Sequence, residues 1–326
     1  MSTVLTIHNL KYQGVFPKSV LGDLLDIGWN FFHPNGVEYH DNVNFLKGGI
    51  AYADKLTTVS PTYAQEIQLP FFGENLDGLL RKRSADLVGI LNGLDYDIYN
   101  PETDPHIPMN YTSRSVVNGK AVNKAALQKR LGLQQDSKVP MIAVISRLVG
   151  QKGMDLITHV FDELTADGVQ FAVLGSGESQ YERFLRDRAQ RNPHQVAAAI
   201  GFDDALAHQI YAGADMFLMP SLFEPCGLSQ LMALRYGCVP IVRETGGLRD
   251  TVKSYNSETG EGTGFAFANY NAHDMLFTVR RALGYFGEKH VWRALCQRGM
   301  DMDFSWRSSA RQYEALYQGV PGLGDS

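Results

Sequence analysis

Two cations and one carboxylate stand where this sequence leaves short apolar runs, and their chemistry suits a phosphorylated sugar. In "ISRLVGQKGMDLI", Arg147 and Lys152 follow the end of a strand and precede a helical pattern. A planar guanidinium fork beside an ammonium matches the oxygens of a diphosphate. In "PSLFEPCGLSQLMALRYG", Glu224 precedes Pro225, and the amides of Cys226, Gly227 and Leu228 then open a helix with an apolar face. Such amides meet sugar hydroxyls or phosphate oxygens, and a carboxylate beside them orients hydroxyl groups. In "RETGGLRDTV", Thr245 and Gly246 turn from strand to helix and offer phosphate a second approach to the backbone. Each stretch also has a plainer reading: a solvated loop, a carboxylate that complements a helix dipole, a tight turn. Their shared place at the carboxyl ends of strands is where doubly wound sheets bind ligands, and that favours function.

His8 and Asn9 occupy the same kind of place after the opening strand, "VLTI". A lone histidine is more often a hydrogen-bonded rim residue than a catalyst, so both readings stand. Cys226 lies near a helix start that would lower a thiol pKa, but no histidine accompanies it and a packing role is preferred. "LGSGES" begins like a dinucleotide fingerprint, yet Gln180 stands where its last glycine belongs. A nicotinamide-dependent dehydrogenase is therefore poorly supported.

The elements that position these residues read clearly from Val139 onward. "MIAVISRL", "QFAVLG", "QVAAAIGF", "DMFLMPS" and "CVPIVRET" alternate with helical stretches near 153–166, 178–190, 203–213, 227–236, 247–253 and 271–286. Strands alternating with helices specify a parallel, doubly wound α/β sheet. Earlier, "VLTIHN", "KLTTVS" and "LVGILNG" read as three further strands, the first buried on both faces, and Ser60 caps a helix that Pro61 opens. The aromatic and glycine-rich stretch between the first two reads as a loop or short helices. "NPETDPHIPMNYTS" marks a linker, with a domain boundary near 101–115.

Composition narrows the function classes. Thirty Lys and Arg against thirty-five Asp and Glu give a net charge of −5, so nothing globally basic points to nucleic acid or an anionic membrane. Three cysteines, Cys226, Cys238 and Cys296, lack paired metal spacing and fit a reducing compartment. With neither a signal core nor a membrane-length apolar run, the sequence reads as cytoplasmic.

Taken together, "LTIHNLKYQG", "VSPTYAQEI", "LNGLDYDIYNP", "SRLVGQKGMDLI", "GSGE", "FEPCGLSQLMALRYG", "RETGGLRDTV" and "TGFAFANYNAHDM" resemble the glycogen and starch synthases, in order and spacing, from residue 3 to about 319. The resemblance implies a GT-B type fold: two Rossmann-like α/β domains facing across a cleft, here with the first incomplete. It implies the remainder of an acceptor-side domain over 1–110, a donor-nucleotide domain over 111–304, and a C-terminal helix over 305–326 that returns to the first domain. It further implies retaining transfer of glucose from ADP-glucose to the non-reducing end of an α-1,4-glucan, without a cofactor or a metal. By position, Arg147 and Lys152 would clamp the diphosphate, Glu224 with the amides of Cys226, Gly227 and Leu228 would hold the glucose, and Thr245 and Gly246 would meet the phosphates. Phe202 would stack on adenine, His8 would face the reacting sugar as a catalytic residue, and Asn9 would join the donor-binding residues. Related retaining transferases often carry a second glutamate eight residues after the first; Met232 stands there, which leaves no double-displacement nucleophile and favours front-face attack.

The family also begins with a strand, a Lys-x-Gly-Gly-Leu loop and a long first-domain segment ahead of the "TIHN" strand. The expectation is an N-terminally truncated chain with little or no transfer activity. The competing reading is a non-catalytic module that binds ADP or ADP-glucose and needs a complementary N-terminal piece. A UDP-glucose donor is disfavoured by the detailed motif match.

Overall fold

The computed structural model describes residues 2–319. The chain divides into two compact units: residues up to Asn92 together with those from Arg307 onward, and Gly93–Trp306.

In the first unit the strands are β1 (Val4–Ile7), β2 (Val15–Pro17), β3 (Glu38–Tyr39), β4 (Asn42–Asn44), β5 (Lys55–Thr58) and β6 (Leu87–Gly89). Its helices are α1 (Val20–Asp23), α2 (Phe45–Tyr52), α3 (Pro61–Glu66) and α4 (Asp77–Lys82). A parallel sheet runs in the order β1-β5-β6, and a small antiparallel sheet in the order β2-β4-β3. The stretch read as a loop or short helices thus contributes a three-stranded sheet as well. The Ser60 hydroxyl accepts from the Tyr63 amide with Pro61 in the first turn, the capping geometry its sequence calls for. The expectation that β1 is buried on both faces is corrected. It is an edge strand paired with β5 alone, and only Ile7 of its four residues is fully buried.

The second unit holds the larger core. Its strands are β7 (Met141–Ile145), β8 (Gln170–Gly175), β9 (Val196–Ile200), β10 (Met216–Met219), β11 (Val239–Arg243) and β12 (Phe265–Phe267). Its helices are α5 (Val116–Leu131), α6 (Met154–His159), α7 (Phe161–Ala166), α8 (Ser179–Arg191), α9 (Asp204–Gly213), α10 (Ser229–Arg235), α11 (Gly246–Thr251), α12 (Ala272–Gly287) and α13 (Lys289–Asp301). The final helix, α14 (Trp306–Gln318), lies almost wholly within the first unit, where the Ser309 hydroxyl donates to the Leu91 carbonyl at 2.7 Å. The single helix expected over 153–166 is two, interrupted at Val160.

All six strands of the second sheet are parallel, in the order β12-β11-β10-β7-β8-β9. The apolar runs predict this. β10 is buried at all four positions, as a strand covered by helices on both faces must be. The order reverses between β7 and β10, so the loops leaving these two strands diverge and open a crevice at their carboxyl ends. Residues 93–110 pack with this unit, Ile107 and Tyr111 lying in its core.

Candidate functional site

The β7 loop carries Arg147 and Lys152, and the β10 loop carries Ser221 and Glu224, so the switch point brings them together. Lys152 Nζ lies 2.5 Å from Glu224 Oε2, and the Ser221 hydroxyl donates to the same oxygen at 3.1 Å. Both charged side chains are largely withdrawn from water, 17% and 8% exposed, which strengthens their attraction relative to a surface pair. Arg147 is exposed and makes no ion pair among the described residues, leaving its guanidinium available to an anion.

Close backbone approach fixes the two loops against each other. Leu222 donates its amide to the Gln151 carbonyl at 2.9 Å. Gly153 has φ +76°, and a Cβ there would stand 2.3 Å from the Pro220 carbonyl oxygen. A side chain at this point would push the lysine loop away from the glutamate loop. Arg243, at the end of β11, is a positioning residue to which the sequence analysis assigned no role. Its Nε donates to the Ser221 carbonyl at 2.8 Å, and its Nη2 to that of Leu222. The only sequence signal was a basic residue closing an otherwise apolar strand.

The third loop lies beneath the second. Thr245 is fully buried, and the Gly247 amide donates to the Glu224 carbonyl at 3.1 Å. Gly246 has φ +46°, and its Cβ would fall 2.0 Å from that same carbonyl. The structure therefore places Thr245 and Gly246 as the shelf under Glu224 rather than on an open surface. Gly246→Ala is expected to lower the melting temperature and weaken nucleotide binding together, because one added methyl displaces the Glu224 backbone; calorimetry of both quantities checks it.

Helix α10 starts at Ser229, later than the expected 227, so Cys226 and Gly227 precede the helix and Leu228 is its cap. Gly227 takes the left-handed φ of +73°, where glycine is favoured, and Gln230 secures this turn by donating to the Cys226 and Gly227 carbonyls. Cys226 is buried and forms no disulfide among the described residues. Phe202, after β9, is 90% exposed. His8 and Asn9 follow β1 in the first unit; His8 is exposed, and the Asn9 side chain accepts from the Lys11 amide at 3.1 Å. The glycines of "LGSGES" serve packing, since a Cβ on Gly177 would meet the Leu148 carbonyl oxygen at 2.3 Å.

Comparison with known proteins places the chain in a family. Residues 1–82 match the starch synthase catalytic domain, and residues 127–284 match glycosyl transferases group 1. A glycogen synthase of Bacillus cereus is 54% identical over 320 residues, spanning 98% of this chain and 67% of that protein. The chain belongs to the glycogen synthase family. A glycogen synthase of Desulforamulus reducens is 53% identical over 323 residues, 99% of this chain and 67% of its own length. This family member thus spans about two thirds of the length of the curated relatives it matches. Among solved structures, the catalytic domain of starch synthase IV from Arabidopsis thaliana, bound to ADP and acarbose, superposes with a TM-score of 0.89 at 37% identity, covering 97% of this chain and 66% of that one. An Anabaena protein crystallised with UDP and glucose shares the fold at a TM-score of 0.60 and 15% identity. The fold class is that of the GT-B glycosyltransferases. Among the described residues, no helix is long and apolar enough to cross a membrane, and no cluster of three potential metal ligands occurs.

Proposed function

We propose that the β7–β10 crevice of this glycogen synthase family member binds ADP-glucose and that the chain takes part in retaining transfer of its glucose to the non-reducing end of an α-1,4-glucan. The observation that carries this reading is the Lys152–Glu224 pair at the switch point, with Arg147 exposed on the same loop as Lys152 and in no ion pair among the described residues. In the proposed complex Arg147 and Lys152 neutralise the diphosphate as it leaves, which lowers the barrier because the charges are already in place. Glu224, held by Ser221, orients the sugar hydroxyls with the amides of Cys226, Gly227 and Leu228. Thr245 and Gly246 act by supporting Glu224 from below, and a direct phosphate contact there requires their shelf to open. In this reading His8 is the catalytic histidine of the first unit and Asn9 a donor-binding residue. Met232 supplies no carboxylate, so the acceptor hydroxyl attacks from the face the phosphate leaves.

The test is calorimetric titration with ADP and ADP-glucose, alongside transfer of labelled glucose from ADP-glucose to glycogen. Binding with transfer supports the whole proposal. Binding without transfer reduces this chain to a donor-binding module, and absence of both rejects the site. Phe202 gives a sharper check on the nucleotide end. Phe202→Ala is expected to weaken ADP binding about 5- to 13-fold, the value of one aromatic stack of ~1–1.5 kcal/mol. Because the ring is exposed, the melting temperature should not move; unchanged ADP affinity would remove Phe202 from the site.

A further inference from the structure

A second concave surface lies at the opposite end of the same sheet. Helices α5 and α13, with the end of α12, enclose a cleft of about 520 Å³. Its lining includes Ser137 and Asp215, which stand ahead of β7 and β10, whereas the donor loops leave the carboxyl ends of those strands. A four- or five-residue strand at about 3.3 Å per residue puts roughly 15 Å between the two places. The cleft shares no lining residue with the proposed donor site.

Its walls combine apolar surface with unbalanced positive charge. Val116, Phe286 and Trp292, all buried or nearly so, supply the apolar part. Lys120 is 8% exposed, and its ammonium donates to the carbonyls of Tyr211, Ala212 and Tyr236 at 3.1–3.3 Å, with no carboxylate within ion-pair distance among the described residues. Lys124 is neutralised by Asp215 at 2.5 Å. At the mouth, Lys289 and Arg293 are exposed and form no ion pair among the described residues; Lys289 sits over the Phe286 ring at 4.7 Å. Arg114 lines an adjoining depression that Arg293 shares. Burying an ammonium without a counter-charge is costly. In a chain whose net charge is −5, concentrating such charge around one apolar cleft makes it a local sink for an anion.

We propose that this cleft binds a phosphate monoester with a planar or apolar body. The phosphate sits between Lys289 and Arg293 in the field of Lys120, and the body lies along Trp292, Phe286 and Val116. Nucleoside monophosphates and sugar phosphates share this chemistry, and the experiment separates them.

The reporter is anilinonaphthalene sulfonate, an aromatic anion whose fluorescence rises in apolar clefts, followed by competition with AMP, glucose 6-phosphate and inorganic phosphate. One or both organic esters should displace it saturably, AMP alone pointing to a nucleotide and glucose 6-phosphate alone to a sugar phosphate. The double variant Lys289→Gln/Arg293→Gln should lose at least about tenfold in ester affinity, while its melting temperature and ADP affinity stay unchanged. Arg147→Ala, which alters the donor loop only, should leave the competition as it was. The proposal is overturned if neither ester competes, if inorganic phosphate competes equally well, if the double variant binds like the parent, or if Arg147→Ala abolishes the competition.

Discussion

Lys152→Ala should lower whatever glucose transfer from ADP-glucose the chain supports by about 10²- to 10³-fold, the usual cost of removing one preorganised charge from a transition state. Two losses combine. The leaving diphosphate loses an ammonium, and Glu224 loses its counter-charge while remaining 8% exposed. With only the Ser221 hydroxyl left on Oε2, the carboxylate is no longer fixed in the one orientation that the lysine holds toward the sugar hydroxyls. Breaking a buried pair from one side costs several kcal/mol of stability, ~3–5 when the partner remains fully buried and charged. Here the pair opens onto a crevice, so solvent recovers part of that. Glu224→Gln is the informative companion: its amide oxygen still accepts from Lys152, so the melting temperature should fall less than in Lys152→Ala while transfer is still lost. Parallel melting curves, ADP titrations and transfer assays of the two variants decide the matter. If Lys152→Ala keeps ADP affinity and transfer within about threefold of the parent, the lysine is a structural partner of Glu224 and the clamp assignment fails.

How far the sequence foretold this arrangement depended on whether the buried face of each element is apolar. β7, β8 and β10 are runs of aliphatic and aromatic residues because both their faces are covered, and their boundaries could be read to within a residue or two. Once those strands and the helices between them are placed, a switch point follows, and Arg147, Lys152 and Glu224 fall at strand ends. Helix α5 went unread for the opposite reason. The residues it buries include Lys120, Asn123, Lys124 and Gln128, which hide the apolar stripe by which an amphipathic helix is recognised. Apart from the Asn123 bond back to Gly119, their partners are carbonyls and a carboxylate outside the helix, so its own pattern does not account for them. The shelf beneath Glu224 was equally invisible. "TGG" shows that a chain turns, but only the fold reveals that the Glu224 carbonyl occupies the space a Cβ would need. For β1, an apolar run promised burial that its edge position withholds.

Asp104→Asn should destabilise the second unit by about 2–4 kcal/mol, within the range for breaking a buried charged network. Asp104 is 2% exposed in the segment ahead of α5, and both its oxygens are used. Oδ2 lies 2.7 Å from His208 Nδ1 and accepts from the Tyr236 hydroxyl at 2.5 Å, while Oδ1 accepts from the His106 amide at 2.8 Å. Tyr99 stacks on His208 with ring centroids 4.8 Å apart. One carboxylate thus ties the 99–111 segment to α9 and to the end of α10. Asparagine is a poor replacement: turned one way its NH2 faces the His106 amide, and turned the other it requires both His208 Nδ1 and the Tyr236 hydroxyl to become acceptors, while the negative charge is lost either way. The pH dependence has a definite sign. Burial alone pushes the Asp104 carboxyl up, but hydrogen bonds from His208, Tyr236 and the His106 amide outweigh it, so the pKa lies below the ordinary carboxylate value. The folded state therefore holds this proton less tightly than the unfolded chain. The resulting stability is complete above the unfolded carboxylate pKa of about 3.9 and is lost as pH falls through the lower folded value. Urea midpoints from pH 7 down to about 3 should show this acid limb in the parent and a shallower one in Asp104→Asn, because the asparagine variant has no proton to gain there. Equal midpoints at pH 7 and superimposable acid limbs would mean that the segment is held by the packing of Tyr99, Ile107 and Tyr111, with the carboxylate contributing nothing.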